Sequence, residues 1–395
     1  MDVLKEAKEI QDEVIEYRRY LHANAETGFA LEKTTAFVKE KLNEMGYDVK
    51  DYGKGGIATN IGKGKKALML RADMDALPIR EQTGLAFASK NGNMHACGHD
   101  IHTAILLGVA KLLKRHENQL KGRVKLYFQP AEERLEGAKT GVKAGVLKDP
   151  LVGGAVMLHV MTALPMQSGK IVVASQGVSA PACDYFQIKV QGKSCHGSAP
   201  QNGVDALLAS AHILVSMQEL SAREIPALSP AVLTIGSMHA GKAGNVIADE
   251  SVLEGTLRAF DETLRAEIKT RLNAIVKGVA KSFRAQASLV FTSGCPALFN
   301  DEKTVRFAEK ELAETLGKDR VLSARDFGAS AKKMGGSEDF AYIAKEVPSV
   351  MLALSAGEQG KGYSEPLHHP NTKFDESIFY VGVASFLTLA LAWRG

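Results

Sequence analysis

Apolar residues recur at three- and four-residue spacing from the start of the chain: Val3, Leu4, Ala7, Ile10, Val14, Tyr17 and Leu21. This predicts an amphipathic helix over 3–21. A second helix is expected over 31–45, stopping before Gly46. Short apolar runs bounded by glycine and charge mark buried strands at 67–70, 124–128 and 155–158. Between them, 101–113 reads as a largely buried helix and 138–147 as a shorter one. Strands alternating with helices predict an α/β fold on a mainly parallel sheet with helices on both faces.

From about residue 180 the texture changes. The stretch 185–190 alternates like a half-exposed strand, 206–220 is an amphipathic helix, 232–237 and 251–260 read as strands, and 264–283 as a long helix. Two strand–helix–strand units of this kind predict a smaller α+β domain over 181–293, inserted into a discontinuous domain made of 1–180 and 294–395. The large-domain character returns with a helix near 304–316, a turn at 335–340, a strand at 350–354 and a closing helix at 377–391.

Bulk properties narrow the function classes. A length of 395 residues favours two domains, and the mild net charge of +4, with both signs interspersed, gives no basic patch for nucleic acid. The first residues lack the apolar core of a signal peptide, and the longest C-terminal apolar run is too short to span a bilayer. Four irregularly spaced cysteines are too few for a disulfide framework. A cytoplasmic protein with reduced thiols and no membrane partner is expected, with Cys183, Cys195 and Cys295 structural.

The chemistry concentrates in Met94-His95-Ala96-Cys97-Gly98-His99-Asp100-Ile101-His102. Thiolate and imidazole are metal ligands for zinc-like ions, and carboxylate is the usual third. The Cys97-Gly98-His99 spacing predicts a loop, since a regular helix cannot aim both side chains one way. Asp73 and Asp75, then Glu132 and Glu133, then His159, each follow closely on the end of a predicted strand, the edge where open α/β sheets bind ligands. Adjacent Glu132 and Glu133 diverge from an extended strand end, so one ligand and one general base is the natural division. Cys97, His99, His159, Glu133 and a later histidine are too many for one tetrahedral ion with an open position, and a two-metal site fits the count.

The ordered set of motifs resembles the M20 family of metal-dependent peptidases and amidohydrolases, in the branch acting on N-acyl and aryl-amino acids such as hippurate and auxin conjugates. It comprises Arg-Arg-Tyr-Leu-His at 18–22, Arg-Ala-Asp-Met-Asp-Ala-Leu-Pro-Ile at 71–79, Met-His-Ala-Cys-Gly-His-Asp at 94–100, Phe-Gln-Pro-Ala-Glu-Glu at 128–133 and Leu-His-Val at 158–160. It continues with His-Gly-Ser-Ala-Pro at 196–200, Gly-Asn-Val-Ile-Ala-Asp at 244–249, Gly-Thr-Leu-Arg at 255–258, Gly-Ser-Glu-Asp-Phe at 336–340 and Leu-His-His-Pro at 367–370. Ala25, and Met161 near another such position, depart from common prolines without touching the chemistry.

Carried over by position, the resemblance implies five metal ligands: Cys97 bridging, His99 and His159 on one ion, Glu133 and His368 on the other. His368 rather than His369 matches, because the family's ligand stands two residues before the proline. Glu132 matches the general base and Asp75 the aspartate that orients a ligand imidazole. The insert matches a dimerisation lid, whose His196 would polarise the scissile carbonyl in the neighbouring subunit of a homodimer. Asn245 and Arg258 match substrate-holding positions, Arg258 suiting a carboxylate. The expectation is a hydrolase of N-acyl amino acids with two divalent ions, zinc first, with manganese, cobalt or nickel also admitted. A dipeptidase or carboxypeptidase with the same machinery is the nearest alternative. A non-catalytic binding protein would not need Glu132 beside five ligands, and a thiol-redox protein would need a Cys-x-x-Cys partner for Cys97.

Overall fold

The structure is a computed structural model that describes residues 2–327 and 335–395. Among these the chain divides into two compact units. One takes in everything before Ala180 together with 298–327 and 338–395; the other takes in Ala180–Ala297 and 335–337.

The first unit is built on an eight-stranded sheet. In spatial order its strands are Lys50–Tyr52, Gly56–Ile61, Arg123–Gln129, Ala67–Asp73, Val152–Met161, Ser349–Ser355, Ile171–Val173 and Val321–Ser323. The four central strands, from Arg123–Gln129 to Ser349–Ser355, run parallel, and antiparallel pairings appear only towards the edges.

Alternation along these strands sorts side chains onto two faces. Leu68 and Leu70, Leu126 and Phe128, Val156 and Leu158, and Leu352 and Leu354 join an apolar core with residues of the helices His99–Arg115 and Phe379–Ala392. The opposite face carries buried polar groups instead. Arg71, Lys125 and Tyr127 are each at most 1% exposed there. The helix Gly137–Lys143 lies over that face; a side chain at Gly141 would strike the Tyr127 hydroxyl, so only glycine allows this approach. Helices thus cover both faces, as the pattern predicted.

Several elements differ in detail from the sequence reading. The expected helix over 3–21 is two helices, Val3–Glu9 and Gln11–Ala23, broken at Ile10, whose φ of −101° and ψ of 4° leave the helical region. The apolar stripe runs on through the break because Val3, Ala7, Ile10 and Val14 are all buried. The helix expected from Ile101 starts at His99, so Cys97 alone of that pair stands in the preceding turn. The strand expected over 155–158 runs from Val152 to Met161, which places His159 within it rather than beyond its end. The short strands Lys50–Tyr52, Gly56–Ile61 and Ile171–Val173 were not expected.

The second unit is a four-stranded antiparallel sheet in the order Ala231–Ala240, Glu250–Ala259, Ala182–Gln191, Gln286–Cys295. The helices Ala206–Ser216 and Glu262–Ser282 pack with Phe186, Ile188, Leu253 and Leu257 in a separate core. Asp205 and Asp261 cap these helices by accepting the backbone N–H groups of Leu208 and Leu264. The strand Gln286–Cys295 was not expected from sequence. No helix among the described residues is long and apolar enough to cross a membrane.

Candidate metal centre

The ends of the central parallel strands and the turn before His99 bring six of the predicted residues together. Cys97 Sγ is buried, 3.5 Å from His159 Nε2 and 3.3 Å from His368 Nε2. His368 Nε2 is 3.4 Å from Glu133 Oε1. His99 Nε2 is 3.9 Å from Glu133 Oε1 and 4.0 Å from Glu132 Oε2. Cys97, His99 and His159 form one trio with donor atoms within 4.8 Å of one another, and Cys97, Glu133 and His368 form a second. The two trios share Cys97.

Local structure explains each placement. Gly98, with φ 84° and ψ 19°, caps the helix His99–Arg115 in the left-handed region and turns the chain sharply between Cys97 and His99. Ala131 holds a φ of 55° just before Glu132, and His368 a φ of 66°, backbone states that an L-residue keeps only where its surroundings impose them. Asp75 helps impose the first, since its two oxygens accept the N–H groups of Glu132 (2.9 Å) and Glu133 (3.3 Å). The backbone N–H of His368 donates to Ala96 O at 3.0 Å, tying it to the Cys97 turn.

Imidazole orientation is set from behind. His159 Nδ1 donates to Val160 O at 2.7 Å, which leaves the Nε2 lone pair facing Cys97. Val160 N–H donates to His102 Nε2 at 2.8 Å, so the His102 proton sits on Nδ1, 2.5 Å from Asp73 Oδ1. Asp75 Oδ1 lies 3.5 Å from His99 Nδ1, longer than a formed hydrogen bond.

Burial and crowded charge perturb the acidities. Burial raises the Glu132 carboxyl well above its usual range, reinforced by the charges of Glu338, Glu133 and Asp339. Burial also pushes up the Cys97 thiol, with Glu133 adding to it. For Glu133, burial acts upward but is outweighed by the His368 hydrogen bond and the charges of His99 and His368, so its carboxyl is lowered. Burial alone would lower His99, yet Asp73 and Cys97 carry it well above its ordinary value.

The residues fit a bound metal. Both ring nitrogens of His99 are buried without a hydrogen-bond partner among the described residues, a condition worth about 1–3 kcal/mol of destabilisation per group unless something satisfies it. Two ligands about 2.1–2.3 Å from one tetrahedral ion stand about 3.5 Å apart, which matches the Cys97–His159 and Cys97–His368 separations.

The sequence reading placed Asp73 at the ligand-binding edge but gave no individual role to the other residues beneath the site. Arg71, Asp73, His102, Glu338 and Asp339 are all buried and joined by hydrogen bonds. The available signals were an arginine and an aspartate ending the otherwise apolar run Ala67–Asp73, and the motifs at 71–79 and 336–340.

His196, Asn245 and Arg258 belong to the second unit. His196 lies on a two-stranded ribbon, paired with Val246, and Gly197 N–H donates to Asn245 O at 2.7 Å. Ser198 N–H donates to His196 Nδ1 at 3.2 Å. Arg258 Nη1 donates to Ser337 Oγ at 3.1 Å.

Known proteins resemble this chain along most of its length. The model of Peptidase family M20/M25/M40 matches residues 69–392. The N-acetyl-L-cysteine deacetylase of Bacillus subtilis is 35% identical, covering 93% of this chain and 85% of its own. IAA-amino acid hydrolase ILR1-like 4 of Arabidopsis thaliana is 32% identical, covering 96% and 85%. The crystal structure of the Bacillus subtilis YXEP protein, a dinuclear metal binding peptidase from the M20 family, superposes with a TM-score of 0.78 at 32% identity, covering 97% of this chain and 98% of that one. The chain therefore belongs to the M20/M25/M40 peptidase family and is a metal-dependent hydrolase of amide bonds, with donor clusters suited to two divalent ions.

Proposed function

We propose that this protein cleaves the amide bond of an N-acyl amino acid to a carboxylic acid and a free amino acid. Two divalent ions, zinc in the first place, would be held by Cys97, His99, Glu133, His159 and His368. One observation supports the division of labour: both carboxylates stand near His99, but Glu133 alone joins the donor trio with Cys97 and His368. Glu133 Oε1 turns to His368 within a donor trio. Glu132 Oε1 takes the backbone N–H of Asp339 at 3.3 Å, and its Oε2 stops 4.0 Å from His99 Nε2.

When bound, the ions acidify water and polarise a carbonyl. Glu132 takes a proton from the attacking water and later delivers it to the amine nitrogen as the C–N bond breaks; burial, which raises its pKa, suits it to hold that proton in between. Asp75 keeps the loop of Glu132 and Glu133 in place. In the lid, 181–293, His196 accepts Ser198 N–H on Nδ1, so Nε2 carries the hydrogen and can donate to the substrate carbonyl. Asn245 and Arg258 hold the substrate, Arg258 through its carboxylate. In this reading the discontinuous domain 1–180 and 294–395 is catalytic, the lid forms a homodimer, and His196 serves the neighbouring subunit. A reducing, cytoplasmic setting belongs to this reading.

The test is a substrate panel on metal-reconstituted enzyme: N-acetyl amino acids, hippurate, indole-acetyl amino acids and dipeptides. Fastest turnover of a dipeptide would replace the N-acyl reading with a peptidase one, and binding without turnover would make the chain a binding protein. For His196, mixed dimers of His196→Ala and Glu132→Gln subunits should regain activity, each holding one complete site. Failure of rescue in demonstrated heterodimers would place His196 in its own chain's site or outside catalysis.

A further inference from the structure

Beneath Glu132 lies a buried set of hydrogen bonds to which the proposed chemistry gives no task. Arg71 is 1% exposed and engages every side-chain nitrogen. Its Nε donates to Gln129 Oε1 (3.0 Å), Nη1 to Asp73 Oδ2 (2.5 Å), and Nη2 to both Glu338 Oε1 (2.9 Å) and Asp339 Oδ1 (3.0 Å). Asp339 also accepts from Gln129 Nε2 (2.7 Å) and from the backbone N–H of Ala138 (2.8 Å). Three donors from three separate segments therefore pin one carboxylate, and with it the turn that carries it. The backbone N–H of that same Asp339 points at Glu132 Oε1, 3.3 Å away.

Glu132 needs such support. It follows Ala131 in the left-handed region, outside any strand or helix, where no regular backbone pairing fixes it. Asp75 holds its backbone N–H from one side. Among the described residues the Asp339 N–H alone donates to its carboxylate, and that contact fixes Oε1 while Oε2 faces His99.

We propose, on the reading that Glu132 is the general base, that Asp339 is its positioning residue. Clamped by Arg71, Gln129 and the Ala138 N–H, Asp339 presents its own backbone N–H to Glu132 Oε1 and so aims Oε2 at the reaction centre. A side chain so held works at a geometry where a displacement of about 1 Å costs roughly a hundredfold in rate.

The test is Asp339→Asn, which keeps the shape but replaces one accepting oxygen with a donor facing donors. With the fastest substrate of the panel, turnover should fall about ten- to a hundredfold, with KM and the metal content per chain unchanged. In a Glu132→Gln background, adding Asp339→Asn should leave the residual rate within about twofold, because there is no longer a base to position. In the crystal structure of Asp339→Asn, the Glu132 carboxylate should be displaced. Wild-type turnover, an undiminished loss in the Glu132→Gln background, lost metal, or an unmoved Glu132 carboxylate would each overturn the proposal. If Asp339→Asn does not fold, Gln129→Met, which removes one donor from Asp339, is read by the same criteria. A wild-type rate in Glu132→Gln would overturn the base reading and this proposal together, whereas an inactive Glu132→Gln beside a fully active Asp339→Asn would overturn this proposal alone.

Discussion

Gly98→Ala tests whether the turn between Cys97 and His99 sets the spacing of the metal donors. A Cβ on Gly98 would lie 2.4 Å from Val160 Cγ2 and 3.1 Å from Phe374 Cζ, and the residue would have to keep a φ of 84°. The left-handed backbone costs an L-residue about 1–2 kcal/mol, and forcing a methyl into a filled core about 1–3 kcal/mol. The sum of roughly 2–5 kcal/mol is a large share of the ~5–15 kcal/mol by which folded proteins are stable. Relief requires the Cys97 turn and the strand of His159 to separate by about 1 Å, whereas metal–ligand distances tolerate only about 0.2 Å. The metal-free variant should therefore unfold about 4–10 °C below wild type, and its affinity for zinc, measured by competition with a chelator, should fall at least about tenfold. A variant with wild-type midpoint and full metal affinity would refute the view that this glycine holds the donors apart.

Glu132→Gln should retain metal but lose turnover by about two to four orders of magnitude, while Glu133→Gln should lose metal; equal metal loss in both, measured by elemental analysis, would refute the division between base and ligand. Hydrogen bonds that the His368 imidazole donates to Cys97 and Glu133 push it up to about 10 in the metal-free protein, so metal must displace a proton there and affinity should rise with pH. Calorimetric titration in buffers of different ionisation enthalpy should reveal that release, and a buffer-independent heat would refute it. Burial and the Arg18 charge act to lower His22, but Asp100 and Glu81 outweigh them and raise it above its ordinary 6.5. Its stabilising contribution is thus fully present below 6.5 and fades as pH rises through the higher folded value. The loss of melting temperature in His22→Gln should be largest near pH 6 and shrink towards pH 9; a deficit that grows with pH would contradict it.

What could be read from sequence was whatever has a local signature. Cys97 and His99 share one short segment, and Glu132, Glu133 and His159 sit near apolar runs that reveal their strands. The support beneath them has no such signature. Arg71 and Glu338 are 267 residues apart, and a buried charge is indistinguishable from a solvated one in a local pattern. Lys125 makes the same point: inside an apolar strand it is fully buried, its ammonium shared among the carbonyls of Val146, Asp149 and Pro150. The break at Ile10 was invisible because the apolar stripe continues across it, and the strand Gln286–Cys295 because an apolar residue, Val290, occupies one of its regularly alternating outward positions and blurs the pattern.

The pairing inside the second unit has a consequence for how the chain folds. Its first and last sheet strands are neighbours, with Cys183 directly opposite Cys295. Once this sheet has formed, the two points at which the chain leaves and rejoins the first unit are held about 5 Å apart. The first unit then closes a tether no longer than a tight turn, instead of bearing the entropy of a long flexible loop. Contacts such as Arg71 to Glu338, 267 residues apart along the sequence, then span an effective chain shortened by the whole insert, so early folding of the insert would speed assembly of the parallel sheet around it.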